Sequence, residues 1–259
     1  VENNNNAWNR MLGSFTKFQL AAWGTMLWNV GFYFLFSLPI HPSHEEIQDP
    51  TETWEEQWKW FKKILTHLLI FEASGCIAAY FFMEYFHIPY DWDAMPRWFC
   101  KSYNSRCIIQ HLLHHKKLYN YFHKVHHEFT APFAMEAAHT GAMEHIIFGM
   151  GFFIVVLTCC THLIMMWIIL ILFILDVTDS HSGYDIPWNP LHLIPFYANA
   201  RYNDFHHMNI RGNYATTFTC WDKLLGTDGL YNEYMAKKKE KESQKDNLKC
   251  YALDIKRTE

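Results

Sequence analysis

Histidines are concentrated in one short part of the chain. Six of them lie between residues 111 and 127, and a further pair stands at His206 and His207. His123, His126 and His127 have the i, i+3, i+4 spacing that places side chains on one face of a helix. Neutral imidazole is a good ligand for iron and zinc. The pattern therefore predicts a metal centre, with candidate ligands from the cluster at His111, His114, His115, His123, His126 and His127.

The residues around these histidines exclude two common kinds of zinc site. No cysteine lies among the clustered histidines, so the ligand pattern of a zinc finger is absent. The H-E-x-x-H signature is also absent, because Lys124 and Val125 fill the middle of the second histidine box. The imidazoles outnumber what one tetrahedral zinc ion uses. Either two metals share an all-nitrogen shell, or one metal has additional histidines around it. Such a thiolate-free site suits iron that carries out oxygen chemistry.

The spacing also constrains the backbone. If residues 111–127 formed one straight helix, the imidazoles would spread over roughly 220° of its circumference. They could not all face one metal centre. We therefore expect a break near residues 118–121, or the convergence of two helices.

Apolar residues are segregated into long stretches. Half of the 259 residues are apolar, yet the mean hydropathy is −0.15. Residues 146–176 are almost continuously apolar, and one membrane span needs about twenty residues. This stretch predicts one long tilted span or a helical hairpin that turns near residues 159–162. Residues 18–40 and 64–86 are two further candidate spans, with buried core helices of a soluble protein as the alternative. The predicted fold class is all-α, an integral membrane bundle with a cytosolic helical cap that carries the histidine boxes.

The ends of the chain are polar. We divide the chain into a polar N-terminal segment (1–15), a membrane-embedded domain (16–235) and a charged cytosolic tail (236–259). Residues 237–249 lack apolar periodicity, so we expect them to be solvated and frayed. Lys and Arg favour the cytoplasmic side of a membrane, which predicts a cytosolic C-terminus and cytosolic histidine boxes. The net charge of −4 gives no reason to expect nucleic acid as a partner.

Several separated motifs occur in an order that resembles one known group of enzymes. His123–His127 is followed by Glu-Phe-Thr-Ala-Pro-Phe, and His-Ser-Gly-Tyr-Asp-Ile-Pro begins at His181. Asp-Phe-His-His-Met-Asn begins at Asp204, and Trp-Asp-Lys-Leu-Leu-Gly-Thr begins at Trp221. Together they resemble the fatty acid hydroxylase superfamily and, more narrowly, the C4-methylsterol monooxygenases. The resemblance covers most of residues 7–235.

The resemblance implies a multi-pass membrane protein of the endoplasmic reticulum whose histidine boxes hold two iron ions. It implies oxidation of the C4 methyl group of a methylsterol by O₂ in sterol biosynthesis. Electrons would come from NADPH or NADH through cytochrome b5 or its reductase. His181 joins the ligand set through the resemblance, and the full set is His111, His114, His115, His123, His126, His127, His181, His206 and His207.

Three positions depart from the family pattern. Gln110 and Asn203 stand where the family has histidines in its first and third boxes. Gly141 stands where the family's His-Pro-x-Glu begins, and His139 comes two residues early. Amide oxygens bind iron weakly compared with imidazole. Loss of these ligands predicts that at least one metal site is emptied or impaired.

Two main hypotheses therefore remain open. In the first, the chain is an iron-dependent sterol oxidase with a rearranged shell, in which His111, His139 or His145 replaces a missing ligand. This hypothesis requires His111, rather than Gln110, to face the metal. In the second, the chain is a catalytically weak or inactive relative that keeps the fold and binds sterol or partner proteins. A zinc hydrolase or a metal transporter is disfavoured, because neither explains the motifs at 181–187 and 221–227.

Overall fold

The computed structural model describes residues 7–37, 45–47, 53–91, 104–159, 162–186 and 189–258, and these are mostly helical. The two-residue strand β1 (Glu45–Glu46) pairs antiparallel with β2 (Tyr184–Asp185). Apart from this pairing, the helical class predicted from the sequence is confirmed for the described residues. The helices are α1 (Ala7–Ser14), α2 (Thr25–Ser37), α3 (Trp54–Tyr85), α4 (Asn104–Leu113), α5 (Tyr119–Phe122), α6 (Ala142–Cys159), α7 (Leu163–Ser180), α8 (Ala200–Asn209), α9 (Cys220–Leu225) and α10 (Gly229–Thr258).

Helix α3 is the longest helix and contains the predicted span at 64–86. It begins with a capping box, in which Thr53 accepts from the backbone of Glu56 and Glu56 accepts from the backbone of Thr53. Among the described residues, Trp58–Tyr85 and Leu163–Ser180 are long and apolar enough to cross a membrane. Ala142–Val156 is a shorter apolar helical segment.

The apolar stretch at 146–176 consists of two helices, as the hairpin interpretation predicts. Helix α6 ends at Cys159 and helix α7 begins at Leu163. His162 caps the second helix, because its Nδ1 accepts a hydrogen bond from the backbone of Ile164 at 3.1 Å. Its Nε2 donates to the carbonyl of Asp91 at 2.9 Å. The one polar side chain described in this turn therefore fixes both the helix start and its position against the chain that follows α3.

The predicted span at 18–40 begins as a π-helical turn (Gln19–Gly24) that continues into α2. Helix α2 packs against α7, and the Trp167 indole donates to the hydroxyl of Thr25 at 3.0 Å. The ring of Trp167 lies 3.1 Å from the position of a Cβ at Gly24, so glycine permits this close packing. Residues 38–40 lie outside the described part of the chain.

Both terminal segments contain helices. The N-terminal segment contains α1, whose Trp8 packs on the core and donates to the carbonyl of Tyr90 at 2.9 Å. The tail at 237–249 was expected to be solvated and frayed. Nearly all of its side chains are exposed, as expected, but the expected fraying is wrong because α10 is continuous through it. Lys and Glu are strong helix formers even without burial.

Candidate metal centre

The histidine cluster bends instead of forming one straight helix. Helix α4 ends at Leu113, the chain turns through residues 114–118, and α5 begins at Tyr119. A short 3-10 turn (His126–Glu128) then carries the second box. The break is present as predicted, a few residues earlier than expected, and it lets α4 and the second box approach the same region.

The structure brings seven of the nine predicted ligands into two groups. A glutamate that the sequence analysis did not identify joins the second group. Within each group, one ligand atom from each residue lies within 4.8 Å of the others, close enough to hold a metal ion. The first group is His114, His123, His127 and His206; the second is His126, Glu136, His181 and His207.

Five of these imidazoles use Nδ1 for a hydrogen bond directed away from the groups. Metal-binding histidines typically donate their second ring N–H to a carboxylate or a carbonyl, which fixes the tautomer. The bonds run from His123 to Glu144 Oε1 (2.7 Å), from His126 to the His139 carbonyl (3.4 Å), from His181 to the Val177 carbonyl (2.8 Å), from His206 to the Gly212 carbonyl (2.8 Å) and from His207 to the Phe129 carbonyl (3.0 Å).

The opposite nitrogens face one another. His126 Nε2 lies 3.3 Å from His181 Nε2, and His127 Nε2 lies 3.2 Å from the Nε2 atoms of His114 and His123. When Nδ1 carries the proton, Nε2 presents a lone pair. Two facing lone pairs repel each other unless a cation lies between them. The donor set therefore fits metal ions.

The protonation states agree with metal binding. Burial lowers the pKa of His206 from 6.5 to about 4 and that of His123 to about 3. Burial also lowers the pKa values of His126 and His207 well below 6.5. These side chains are neutral at pH 7, and neutral imidazole is the form that binds a metal ion.

Two glycines allow the loops around the groups to pack closely. Gly183, in the motif that begins at His181, has φ +73, and a Cβ there would lie 2.6 Å from the carbonyl of Pro132. Gly212 has φ +80, and a Cβ there would lie 2.5 Å from the carbonyl of Thr227. Any side chain at either position would push the loop away from its neighbour.

Asp222 has a structural role in the motif that begins at Trp221. Its fully buried carboxylate accepts from the backbone of Tyr214 at 3.0 Å, from the backbone of Ala215 at 2.8 Å and from the Tyr202 hydroxyl at 2.8 Å. Tyr202 lies on α8, which also carries His206. Asp222 therefore positions α8 and the loop beside it, and contributes to the site through them.

The structure does not bring His111 or His115 to either group, contrary to expectation. His111 Nε2 lies 3.8 Å from Asp222 Oδ1, and its ring contacts Tyr214. His115 is exposed. Residue 111 is rotated by about 100° from residue 110 on the same helix, which directs it away from the first group.

The other proposed replacements also bind elsewhere. His139 Nε2 lies 2.9 Å from Glu128 Oε2, and His145 Nε2 lies 3.4 Å from Glu72 Oε1. The rearranged shell that the sequence analysis considered is therefore not formed by these side chains.

Gln110 faces the first group. Its Nε2 lies 3.0 Å from Nε2 of His123, 3.4 Å from that of His206 and 3.5 Å from that of His114. An amide nitrogen has two hydrogens for these three acceptors. Gln110 thus stands among the imidazole nitrogens of the first group.

The other two positions that depart from the family pattern, Asn203 and Gly141, also lie at the site. Asn203 is buried on α8, one turn before His206 and His207, and its Nδ2 has no hydrogen-bond partner among the described residues. A Cβ at Gly141 would lie 3.7 Å from the carbonyl oxygen of Phe122, which is an ordinary van der Waals distance. The backbone at Gly141 therefore leaves room for a Cβ.

Glu136 is the ligand candidate that the sequence analysis missed. It is fully buried in a 3-10 turn (Ala134–Ala138) and belongs to the second group. It is the single acidic residue between Phe129 and Met143. An isolated acid in a mostly apolar segment was the available signal, because ionised side chains are rarely buried without a partner.

A cavity of about 410 Å³ opens beside the second group. His126 and His181 line one part of it. Apolar side chains from α3, α6 and α7 line most of the remainder, among them Leu68, Phe152, Phe153, Met166, Leu170 and Phe173. The second group therefore adjoins a largely apolar space.

Comparison with known proteins agrees with the motifs. Residues 106–227 match the sequence model of the fatty acid hydroxylase family. The chain is 45% identical to methylsterol monooxygenase 1 of Gallus gallus, across 92% of this chain and 86% of the relative. This chain belongs to the fatty acid hydroxylase superfamily, among the methylsterol monooxygenases.

Other members of the methylsterol monooxygenase family give the same result. Methylsterol monooxygenase 1 of Danio rerio is 45% identical across 88% of this chain and 84% of its own length. The C-4 methylsterol oxidase of Schizosaccharomyces pombe is 37% identical across 49% of this chain and 44% of its own length. No solved structure matches the chain significantly.

Proposed function

We propose that this chain is an iron-dependent, O₂-using oxidase of the C4 methyl group of methylsterols in sterol biosynthesis. The observation that carries the proposal is the position of the second group, which meets an apolar cavity at His126 and His181. The names of the most similar relatives support the substrate class.

The proposed ligands are those of the two groups. Three imidazoles and the Glu136 carboxylate would hold one iron, and four imidazoles would hold the other. Iron with O₂ supplies the oxidant for an unactivated C–H bond, which no side chain can provide. Hydrogen bonds to carbonyls and to Glu144 keep the imidazoles in one orientation. We expect electrons from NADPH or NADH through cytochrome b5 or its reductase.

The cavity would hold the sterol. Its apolar walls include Leu170 and Phe173 from α7, Leu68 from α3 and Phe152 from α6. Such walls suit a rigid apolar ring system. They also exclude water from the reacting carbon.

The outer faces of the helices support a membrane location. Ile146, Met150 and Ile154 form a stripe along α6 and are 47%, 55% and 56% exposed, and Ile146 and Met150 are also among the residues that line the cavity. On α3, Ile70 is 61% exposed and Phe81 is 63% exposed. Large contiguous apolar surfaces are rare on soluble monomers, and these faces suit lipid.

The lengths of α6 and α7 separate the histidine groups from the turn that joins these two helices. Helix α6 begins, and helix α7 ends, beside the histidine groups, whereas Cys159 and His162 lie at the opposite ends of these helices. We place the groups and α10 on the cytosolic face of the endoplasmic reticulum membrane, with the hairpin inside the bilayer.

A second candidate function follows from Gln110. Its amide stands 3.0 Å from His123 within the first group, and Asn203 and Gly141 supply no imidazole. In this alternative, the chain keeps the fold and binds sterol, with weak or no turnover.

The test uses full-length protein reconstituted in lipid with cytochrome b5, its reductase and NADH. We expect conversion of a 4-methylsterol to C4-oxidised products with ferrous iron, and none after chelation or with zinc. Sterol binding without any conversion in the iron-loaded protein would instead support the second candidate.

A further inference from the structure

A polar network crosses the apolar wall of the cavity. Glu72 on α3 accepts a hydrogen bond at Oε2 from the side-chain amide of Asn29 on α2. Its other oxygen, Oε1, lies 3.4 Å from Nε2 of His145 on α6. All three side chains line the cavity. Three different helices therefore direct polar groups to one place.

The surroundings of this network are apolar. Leu68, Phe71 and Ala79 of the same helix line the cavity near Glu72. Ionisable residues inside membrane segments are costly to bury, and they commonly mark binding or transport sites. Packing of α2, α3 and α6 could be achieved with apolar residues alone, so a carboxylate that faces the cavity needs a further explanation.

The network is close to the first histidine group. His145 directly follows Glu144, and Glu144 Oε1 lies 2.7 Å from Nδ1 of His123. Glu144 lines the same cavity as Glu72 and His145, and so do His126 and His181 of the second group. A polar substituent held by Glu72 would therefore lie in the cavity that the histidine groups adjoin.

We propose that Glu72, with Asn29 and His145, binds the ring hydroxyl of a 3-hydroxysterol and thereby positions the adjacent C4 methyl group. This inference rests on the proposed function. The carboxylate would accept a hydrogen bond from the hydroxyl, and Asn29 has a second amide hydrogen that can be donated to the hydroxyl oxygen. The hydroxyl is on the ring carbon bonded to C4, so holding one fixes the other.

The proposal predicts discrimination between substrates. A site that is built to hydrogen-bond a hydroxyl rejects analogues without it, because its buried polar groups are then left unpaired. A 4-methylsterol with a free 3-hydroxyl should therefore bind more tightly than its 3-deoxy analogue. Glu72, Asn29 and His145 act here as specificity and positioning residues.

The experiment measures binding, so it does not depend on turnover. Metal-free full-length protein in detergent is titrated with a radiolabelled 3-hydroxy-4-methylsterol and with the 3-deoxy analogue. We expect at least a tenfold preference for the hydroxysterol in the unmodified protein. Glu72→Leu should abolish this preference and leave the Kd for the 3-deoxy sterol within about twofold. Glu72→Gln keeps one acceptor and should retain part of the preference.

The control is Thr66→Leu, on an exposed part of α3 outside the cavity lining, which should keep the full preference. Equal loss of affinity for both sterols in Glu72→Leu would show a structural role only and would overturn the proposal. An unchanged preference in that variant would overturn it as well. Normal C4 oxidation without hydroxyl preference would refute this inference and leave the proposed function intact. Absence of any sterol binding in the unmodified protein would refute both.

Discussion

The side-chain nitrogen of Gln110 lies 3.0 Å from Nε2 of His123, inside the first group of histidines. The neighbouring His111 faces Asp222 instead. Gln110 and His111 are about 100° apart around α4, and this difference decides which of the two side chains reaches the first group. An amide takes the position that points at the histidines of the first group, and an imidazole is directed away from them.

Restoring histidine at Gln110 and Asn203 together should raise iron content and sterol C4 oxidation. Both side chains are buried at the groups, and imidazole binds iron better than an amide does. Since changes around metal ligands commonly alter affinity or activity 10–100-fold, we expect a gain of at least tenfold in iron affinity. The iron content and the amount of C4-oxidised product are measured for the double variant and for His111→Gln, which serves as the control. A full iron complement and normal turnover in the unmodified chain would show that the amides do not impair the site.

Replacing His207 in the second group should lower metal retention, because the metal ion proposed for that group would lose one ligand while the first group is unchanged. His207→Ala deletes a buried imidazole whose Nε2 has no hydrogen-bond partner among the described residues. His115→Ala is the matched control, because His115 is exposed and lies in neither group. Metal content per protein after gel filtration is the measurement. Equal metal content in the two variants would exclude His207 as a ligand.

The metal-free protein should lose stability on acidification. The folded-state pKa of His206 is about 4, against 6.5 for a free side chain. Between these values the unfolded chain binds more protons, so stability falls as the pH drops from 6.5 towards 4. The slope is about 1.4 kcal/mol per pH unit for each such histidine. Thermal unfolding of metal-free protein at pH 7.5 and pH 5 measures it. His206→Gln should show a smaller decrease, and an unchanged Tm in the unmodified protein would contradict the prediction.

Gly183→Ala should destabilise the site. A methyl group would lie 2.6 Å from the carbonyl of Pro132, and the backbone has φ +73. Strain of this kind costs on the order of 1–3 kcal/mol. Gly31→Ala on α2 is the control, since nothing lies within 4 Å of its Cβ position and alanine favours a helix. A lower Tm for Gly183→Ala alone is expected. Similar Tm values for both variants would mean that this loop contact is not needed.

The charged tail should be accessible from the cytosol. Residues 237–249 lie on α10 with exposed side chains. Protease added to sealed microsomes should remove an epitope tag that follows this segment. A soluble protein of the microsome lumen is the internal control and should be protected. Protection of the C-terminal tag until detergent is added would reverse the proposed orientation.

The sequence predicted which candidate ligands come together where this depends on local spacing. His123, His126 and His127 follow from their positions in one box, and the hairpin follows from the length of the apolar stretch. Glu136 could not be assigned, because its proximity to His181 arises from the packing of distant segments. The choice between Gln110 and His111 depends on the rotation of α4, which is set by contacts with other elements. For α10, the absence of an apolar face suggested fraying, whereas its Lys and Glu residues have high helix propensity.

Incorporation of oxygen from O₂ tests the central claim most directly. Iron-loaded protein is incubated with a 4-methylsterol, NADH, cytochrome b5 and its reductase under ¹⁸O₂, in parallel with the Gallus gallus relative. We expect mass spectrometry to detect ¹⁸O bonded to the carbon that was the C4 methyl group. This label should be absent from the sterol incubated with His207→Ala. Unlabelled, unchanged sterol from this chain, while the relative gives labelled product, would contradict the assignment of oxidase activity.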